Sequence, residues 1–232
     1  MFTYKGRAVQ THDLLKINPK YLLDEATARG DTVPGWAEEY VRHVSFAVVR
    51  RGFTSETCLP IGIRGYDRNQ RWAASCSPHA ILYLIAPSQL LGLAAAPSRV
   101  AEVPALQSLE ILKALWLDFD RPWGPGGSVG FELATGSNMA HVESDLDIVI
   151  RTAKPITLEE AKFRCAQATD LPATVDIRVE TPICGFSLKE YAREDRKEIL
   201  LRTPNGPVLG SDPWRNMPDM LNAAKSFERA RL

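Results

Sequence analysis

Apolar residues recur along this chain at two distinct periods. Leu146, Ile148 and Ile150 alternate with Asp145, Asp147 and Val149, and Val175, Ile177 and Val179 alternate with Asp176, Arg178 and Glu180. A period of two is the mark of a strand, because successive side chains leave opposite faces. Between these segments, Thr157-x-x-Glu160 has the form of a capping box and starts a helix over about residues 158–168. Strand, helix and strand within about 35 residues make a crossover unit, so the two strands are expected to lie parallel and adjacent in one sheet. Upstream, Pro104 to Leu117 carries Leu106, Leu109, Leu112, Leu115 and Trp116 at the three-and-four spacing of a helix with one buried face.

Elsewhere the pattern is shorter and more often punctuated. Ser45 to Val49 and Ile81 to Ile85 suit strands, whereas Arg50-Arg51-Gly52 and Ile61-Gly62-Ile63-Arg64-Gly65 suit turns and loop edges. Pro87 to Leu93 predicts a short helix running into a linker near residue 100. Val129 to Ala134 also has a short helical pattern. Ile199 to Arg202 and Val208-Leu209 form a last strand pair around Pro204-Asn205-Gly206-Pro207, with Asn-Gly supplying positive φ angles. The tail after Trp214 suits a surface helix or loop, and no internal repeat is visible. The expectation is an α+β chain: a smaller, mostly β N-terminal domain over residues 1–98, and a larger domain over 99–232 with a mixed sheet flanked by helices.

Composition narrows the function. With 28 Lys+Arg against 28 Asp+Glu in 232 residues, the chain lacks the net positive field that gathers nucleic acid or an anionic membrane. A phosphate-bearing ligand must therefore be held by local groups. Cys58, Cys76, Cys165 and Cys184 form no CxxC pair, and the four histidines show no HExxH spacing, which disfavours a zinc site or a disulfide scaffold. No export signal is visible at the start, and Ala80 to Ala96 is too interrupted to span a bilayer, so a cytoplasmic protein is expected.

The segment that promises chemistry runs from Gly124 to Asp147. Residues i and i+2 of a strand share a face about 6.5 Å apart, so Asp145 and Asp147 project together, and Ile148-Val149-Ile150 places them at the end of a core strand. Asp176 adds a third carboxylate from the neighbouring strand. Such groups repel unless compensated, and a divalent cation with hard oxygen ligands is the ordinary compensation. The pattern thus suits Mg²⁺-assisted phosphoryl or nucleotidyl transfer. Asp176 could instead pair with Arg178. Two Gly-Ser pairs could grip phosphate without net charge: Gly127-Ser128 and Gly136-Ser137, separated from Asp145 by sixteen and seven residues. Arg64, Arg68 and Arg71 could meet substrate phosphates or an acidic protein surface, or form only a charged loop face. Trp72 and Trp123 are read as packing residues. No Gly-Lys-Ser/Thr occurs, which excludes a P-loop.

A Gly-Ser turn, a hydrophobic-flanked Asp-x-Asp and a later lone Asp together resemble the DNA polymerase β-like nucleotidyltransferase superfamily. Within it, Pro122-Trp123-Gly124, Gly127-Ser128-Val129-Gly130-Phe131-Glu132-Leu133-Ala134-Thr135-Gly136 and Ser144-Asp145-Leu146-Asp147 resemble the malonate decarboxylase holo-acyl-carrier-protein synthases, also called phosphoribosyl-dephospho-CoA transferases. His12-Asp13-Leu14-Leu15, residues 59–72, Leu200 to Thr203, Gly206-Pro207 and Asp212-Pro213-Trp214 extend the likeness over nearly the whole chain. It implies transfer of the phosphoribosyl-dephospho-CoA group from triphosphoribosyl-dephospho-CoA to a serine of the acyl carrier subunit of malonate decarboxylase, with release of pyrophosphate. Asp145, Asp147 and Asp176 would hold Mg²⁺, Gly127 and Ser128 the outer phosphates, and the N-terminal domain would recognise substrate or carrier. The rival readings are a non-catalytic binding module of the same fold and an ATP-using nucleotidyltransferase with another acceptor.

Overall fold

The computed structural model describes residues 2–52, 55, 57–67 and 69–215. The described residues within 1–93 and 130–139 form one compact unit, and those within 94–129 and 140–232 form a second.

The first unit begins with a small hairpin, β1 (Thr3–Tyr4) and β2 (Arg7–Ala8), followed by β3 (Leu14–Ile17), α1 (Pro19–Ala28), α2 (Gly35–His43), β4 (Phe46–Val49), β5 (Leu59–Arg64), β6 (Arg71–Cys76), β7 (Ile81–Ile85) and α3 (Pro87–Leu90). Its antiparallel sheet has the order β6-β5-β4-β3-β7. Leu15, Ile17, Ala47, Leu59, Ile61 and Ile63 point from it into a core shared with Leu22, Ala26, Tyr40 and Val41 of the two helices. Two corrections to the sequence reading arise here. Residues Ile61 to Arg64 are an interior strand rather than a loop edge, because Leu59, Ile61 and Ile63 are buried while Pro60, Gly62 and Arg64 alternate with them. Helices α1 and α2 went unread, although Asn18 caps α1 by accepting from the Lys20 and Tyr21 amides and Pro19 opens it.

The second unit contains α4 (Pro97–Glu102), α5 (Pro104–Leu115), β8 (Trp123–Pro125), the start of α6 (Gly127–Thr135), β9 (Leu146–Arg151), α7 (Leu158–Gln167), β10 (Val175–Glu180), β11 (Gly185–Ser187), α8 (Leu188–Tyr191), β12 (Ile199–Thr203) and β13 (Gly206–Gly210). Its six-stranded sheet runs β13-β12-β11-β10-β9-β8, with β9 and β10 parallel and the other pairs antiparallel. The α+β class and the parallel crossover pair are therefore as the pattern predicted. Leu106, Leu109, Leu112 and Trp116 are buried as the helical period requires. Leu115 is not; it is 41% exposed, one step off the stripe. Trp116 packs edge-on against Trp123 at 4.7 Å, and burying each such large side chain contributes about 1.5–3 kcal/mol. In the last hairpin only Gly206 takes a positive φ, since Pro204-Asn205 alone makes the turn between Thr203 and Gly206. The tail from residue 216 lies outside the described residues.

Candidate functional site

The site is built on the N-terminal ends of β9 and β10. The buried face of this pair is Leu146, Ile148, Ile150, Ile177 and Val179. Alternation turns Asp147 and Asp176 to the other face, and the register makes them direct partners across the parallel pair. Two strands of the sheet lie about 4.8 Å apart, so the two carboxylates start from neighbouring backbone positions. Asp145 is exposed and lies one residue before β9, after a turn in which Ser144 N donates to His141 O and His141 N donates to the Ser144 hydroxyl.

The glycines that precede α6 are fixed to the same strand. Gly126 N donates to Asp147 O at 2.8 Å, which ties the turn after β8 to β9. Gly127 follows at φ +52°, and the space a Cβ would occupy there is filled by the Asp147 carboxylate. Only glycine meets both conditions, the left-handed backbone and the close approach. Helix α6 therefore begins directly against a site carboxylate, with the buried Ser128 as its second residue. Gly136 and Ser137 stand at the other end of the same helix. Gly136 N closes the last turn on Glu132 O at 2.8 Å with φ +71°, and Ser137 N bonds the Thr135 hydroxyl. The start of a helix presents free amides and its end presents carbonyls, so the two pairs are electrostatically opposite.

Asp176 has a partner already: Arg178 donates to its carboxylate at 2.8 Å. Among the described residues no three His, Cys, Asp or Glu side chains are gathered closely enough to hold a metal ion. The donors are nevertheless of the hard carboxylate type that Mg²⁺ takes together with substrate oxygens. Arg64 lies half-buried in β5 opposite Arg71 of β6, and Arg68 lies outside the described residues. Trp72 and Trp123 are both buried, as packing residues should be.

Several polar groups escaped the sequence reading. Glu132 is 4% exposed within α6 and accepts from Met139 N at 3.0 Å. Asp13 is fully buried and accepts from Gln10 N at 2.9 Å, so the His12-Asp13 wording marks a structural turn. Arg121 binds Glu160, the Thr152 hydroxyl and the carbonyls of Lys154 and Pro155. Glu160 is thus turned away from the reciprocal half of its capping box, while Thr157 still accepts from Glu160 N.

Comparison with known proteins assigns the chain to a class of enzyme, the transferases. The family described as phosphoribosyl-dephospho-CoA transferase MdcG C-terminal domain matches residues 90–213, and its N-terminal domain counterpart matches residues 10–87. The chain is 34% identical over 204 residues to the phosphoribosyl-dephospho-CoA transferase of Pseudomonas fluorescens, covering 88% of this chain and 93% of that one. It is 33% identical to that of Pseudomonas aeruginosa, with 89% and 94% covered, and 32% identical to that of Klebsiella pneumoniae, with 88% and 95% covered. The chain belongs to the phosphoribosyl-dephospho-CoA transferase family. No solved structure matches it.

Proposed function

We propose that this enzyme transfers the phosphoribosyl-dephospho-CoA group from triphosphoribosyl-dephospho-CoA to a serine hydroxyl of the apo acyl carrier subunit of malonate decarboxylase. The observation that carries the reading is the in-register pair Asp147 and Asp176, with the first turn of α6 seated on Asp147. The serine oxygen bonds to the α-phosphorus, the bond from that phosphorus to the bridging oxygen breaks, pyrophosphate leaves with the electron pair, and the serine proton passes to solvent. This is nucleotidyltransferase chemistry in which the protein chiefly positions groups and offsets charge.

Asp145, Asp147 and Asp176 are the residues that would hold a divalent cation, which supplies charge neutralisation for the triphosphate. Asp176 can serve in that way once Arg178 shares or releases it. Gly127 and Ser128 are favoured over Gly136 and Ser137 as the phosphate grip, because they lie at the amide end of α6. Four free cysteines suit a reducing, cytoplasmic setting, and among the described residues no helix is long and apolar enough to cross a membrane.

The test is to incubate the enzyme with Mg²⁺, apo acyl carrier subunit and either triphosphoribosyl-dephospho-CoA or ATP, then to weigh the carrier. A mass gain of one phosphoribosyl-dephospho-CoA group, with pyrophosphate released, is expected in the first mixture only. Modification by ATP would show a different nucleotidyltransferase, and no modification in either would favour a binding module.

A further inference from the structure

The strand β6 ends the first unit's sheet and leaves one of its sides open. Across the turn that joins it to β5, Gly65 N donates to Gln70 O. Along an antiparallel pair, residues that bond across the ladder alternate with residues that do not. Trp72, Ala74 and Cys76 therefore bond to β5, while Arg71, Ala73 and Ser75 aim their N–H and C=O groups away from it. Two further bonds fit this alternation. Pro60 O, opposite Ser75, accepts from Arg50 N on the far side of β5, and Ser75 O accepts from Arg29 Nη2 at 2.9 Å. Arg29 is itself held by Asp31 and closes the edge at the Ser75 carbonyl. From Arg71 to the Ser75 amide, no described group pairs with the edge.

Native sheets blunt such an edge with proline, a bulge or a central charge. The centre of β6 is Ala73-Ala74-Ser75, small and neutral, and its pairing with β5 runs through six residues without a break in register. Trp72, Ala74 and Cys76 are buried against the core, so Arg71, Ala73 and Ser75 occupy the opposite face. That face is cationic. Arg71 stands directly opposite Arg64, and like charges so placed destabilise a sheet. Gly62 lies opposite Ala73, and the Arg50 side chain crosses it, 3.1 Å from the place of a Cβ. Neither Arg50 nor Arg71 pairs with a described carboxylate. A cavity of about 480 Å³ runs beside the edge, reaching from Arg29 and Asp31 to Arg50 over Ala73 and Ser75.

We infer that β6 is a docking edge for an extended acidic segment of a partner protein. The segment adds a sixth strand by main-chain hydrogen bonds centred on Ala73 and sets carboxylates against Arg50 and Arg71. Main-chain pairing supplies affinity, and the side chains supply selection. Cross-strand partners share a face, so the segment carries acidic residues opposite Arg71, Ala73 and Ser75 and apolar ones between them. Charge decides against a second copy of this chain: β6 paired with β6 would bring two sets of Arg50, Arg64 and Arg71 onto one face. The inference does not depend on the transfer proposed above.

Titration of the whole protein with a capped Glu-Val-Glu-Val-Glu-Val-Glu peptide and with its Lys-for-Glu counterpart tests this, read by calorimetry and by nitrogen–proton NMR. The acidic peptide is expected to bind, shifting the Ala73 and Ser75 amides and slowing their hydrogen exchange, and the basic peptide is expected not to bind. Arg50→Glu combined with Arg71→Glu should weaken the acidic peptide at least about tenfold and admit the basic one, with unaltered circular dichroism. Ala73→Pro removes the central donor at an edge position that tolerates proline, and it should abolish binding. No binding of the acidic peptide at millimolar concentration, equal binding of both peptides, or affinity unchanged by the double charge reversal would overturn the inference. A dimer in sedimentation that Ala73→Pro dissolves would assign the edge to a second copy and overturn it as well.

Discussion

The strand ends around Asp147 and the cavity around Tyr66 are opposites in chemistry. The first offers carboxylates, a glycine turn and the amide end of a helix, with no aromatic side chain among its predicted ligands. The second offers the aromatic side chains Trp36, Tyr40 and Tyr66, with no cationic side chain among its described lining residues. Carboxylates and aromatic surface are thus kept on different units. A change in one region should leave the other's property intact, which makes the division breakable by experiment.

The largest effect is expected from Asp147→Asn. It keeps the shape and removes the charge, so carrier modification should fall by roughly 10³-fold, while circular dichroism stays at the wild-type value. A parallel loss of the circular dichroism signal would break the comparison. Gly127→Ala comes next. The new Cβ meets the Asp147 carboxylate at a backbone φ of +52°, and the left-handed conformation alone costs about 1–2 kcal/mol. Turnover should drop by about 10²-fold with a lower thermal midpoint, whereas Gly136→Ala should lower stability with little effect on turnover.

Arg178→Gln sharpens the role of Asp176. This partly exposed pair stabilises the fold by less than about 1 kcal/mol, so the melting point should barely move. The Mg²⁺ concentration for half-maximal rate should fall a few-fold, because Asp176 no longer has a competing cation. An unchanged Mg²⁺ requirement would remove Asp176 from the set. The smallest effect concerns the first unit's core. Burial, with Glu25 and Cys58 adding, pushes the Cys76 thiol from 9.0 up to about 12. The unfolded thiol ionises above its ordinary value while the folded one stays neutral, so stability falls as pH rises through that window. Cys76→Ala should flatten the alkaline fall in melting temperature between about pH 9 and 12, leaving the share due to Tyr40.

The two regions also differed in how far they could be read from the sequence. β9 and β10 were legible because β-branched residues alternate without interruption, and the capped helix between them required a parallel pair. β5 obeys the same alternation, but its second face is Pro60, Gly62 and Arg64. There the Arg50 side chain lies over Gly62, 3.1 Å from the place of a Cβ, so a glycine that reads as a loop is a packing requirement. Helix α2 is short, and its Trp36 and Tyr40, four apart, were the available signal for the aromatic wall. The aspartates were identifiable as residues. That Gly127, twenty residues earlier, closes on Asp147 and that Arg178 holds Asp176 depended on the sheet register and the turn after β8.

The central claim is that acidic side chains of β9 and β10 bind a divalent ion together with the substrate's phosphates. Electron paramagnetic resonance of Mn²⁺, titrated with enzyme and triphosphoribosyl-dephospho-CoA, measures it most directly. The account predicts that free Mn²⁺ signal is taken up by the wild type in the presence of substrate and that Asp147→Asn loses this uptake beyond what substrate alone binds. Equal uptake by the two proteins would contradict it.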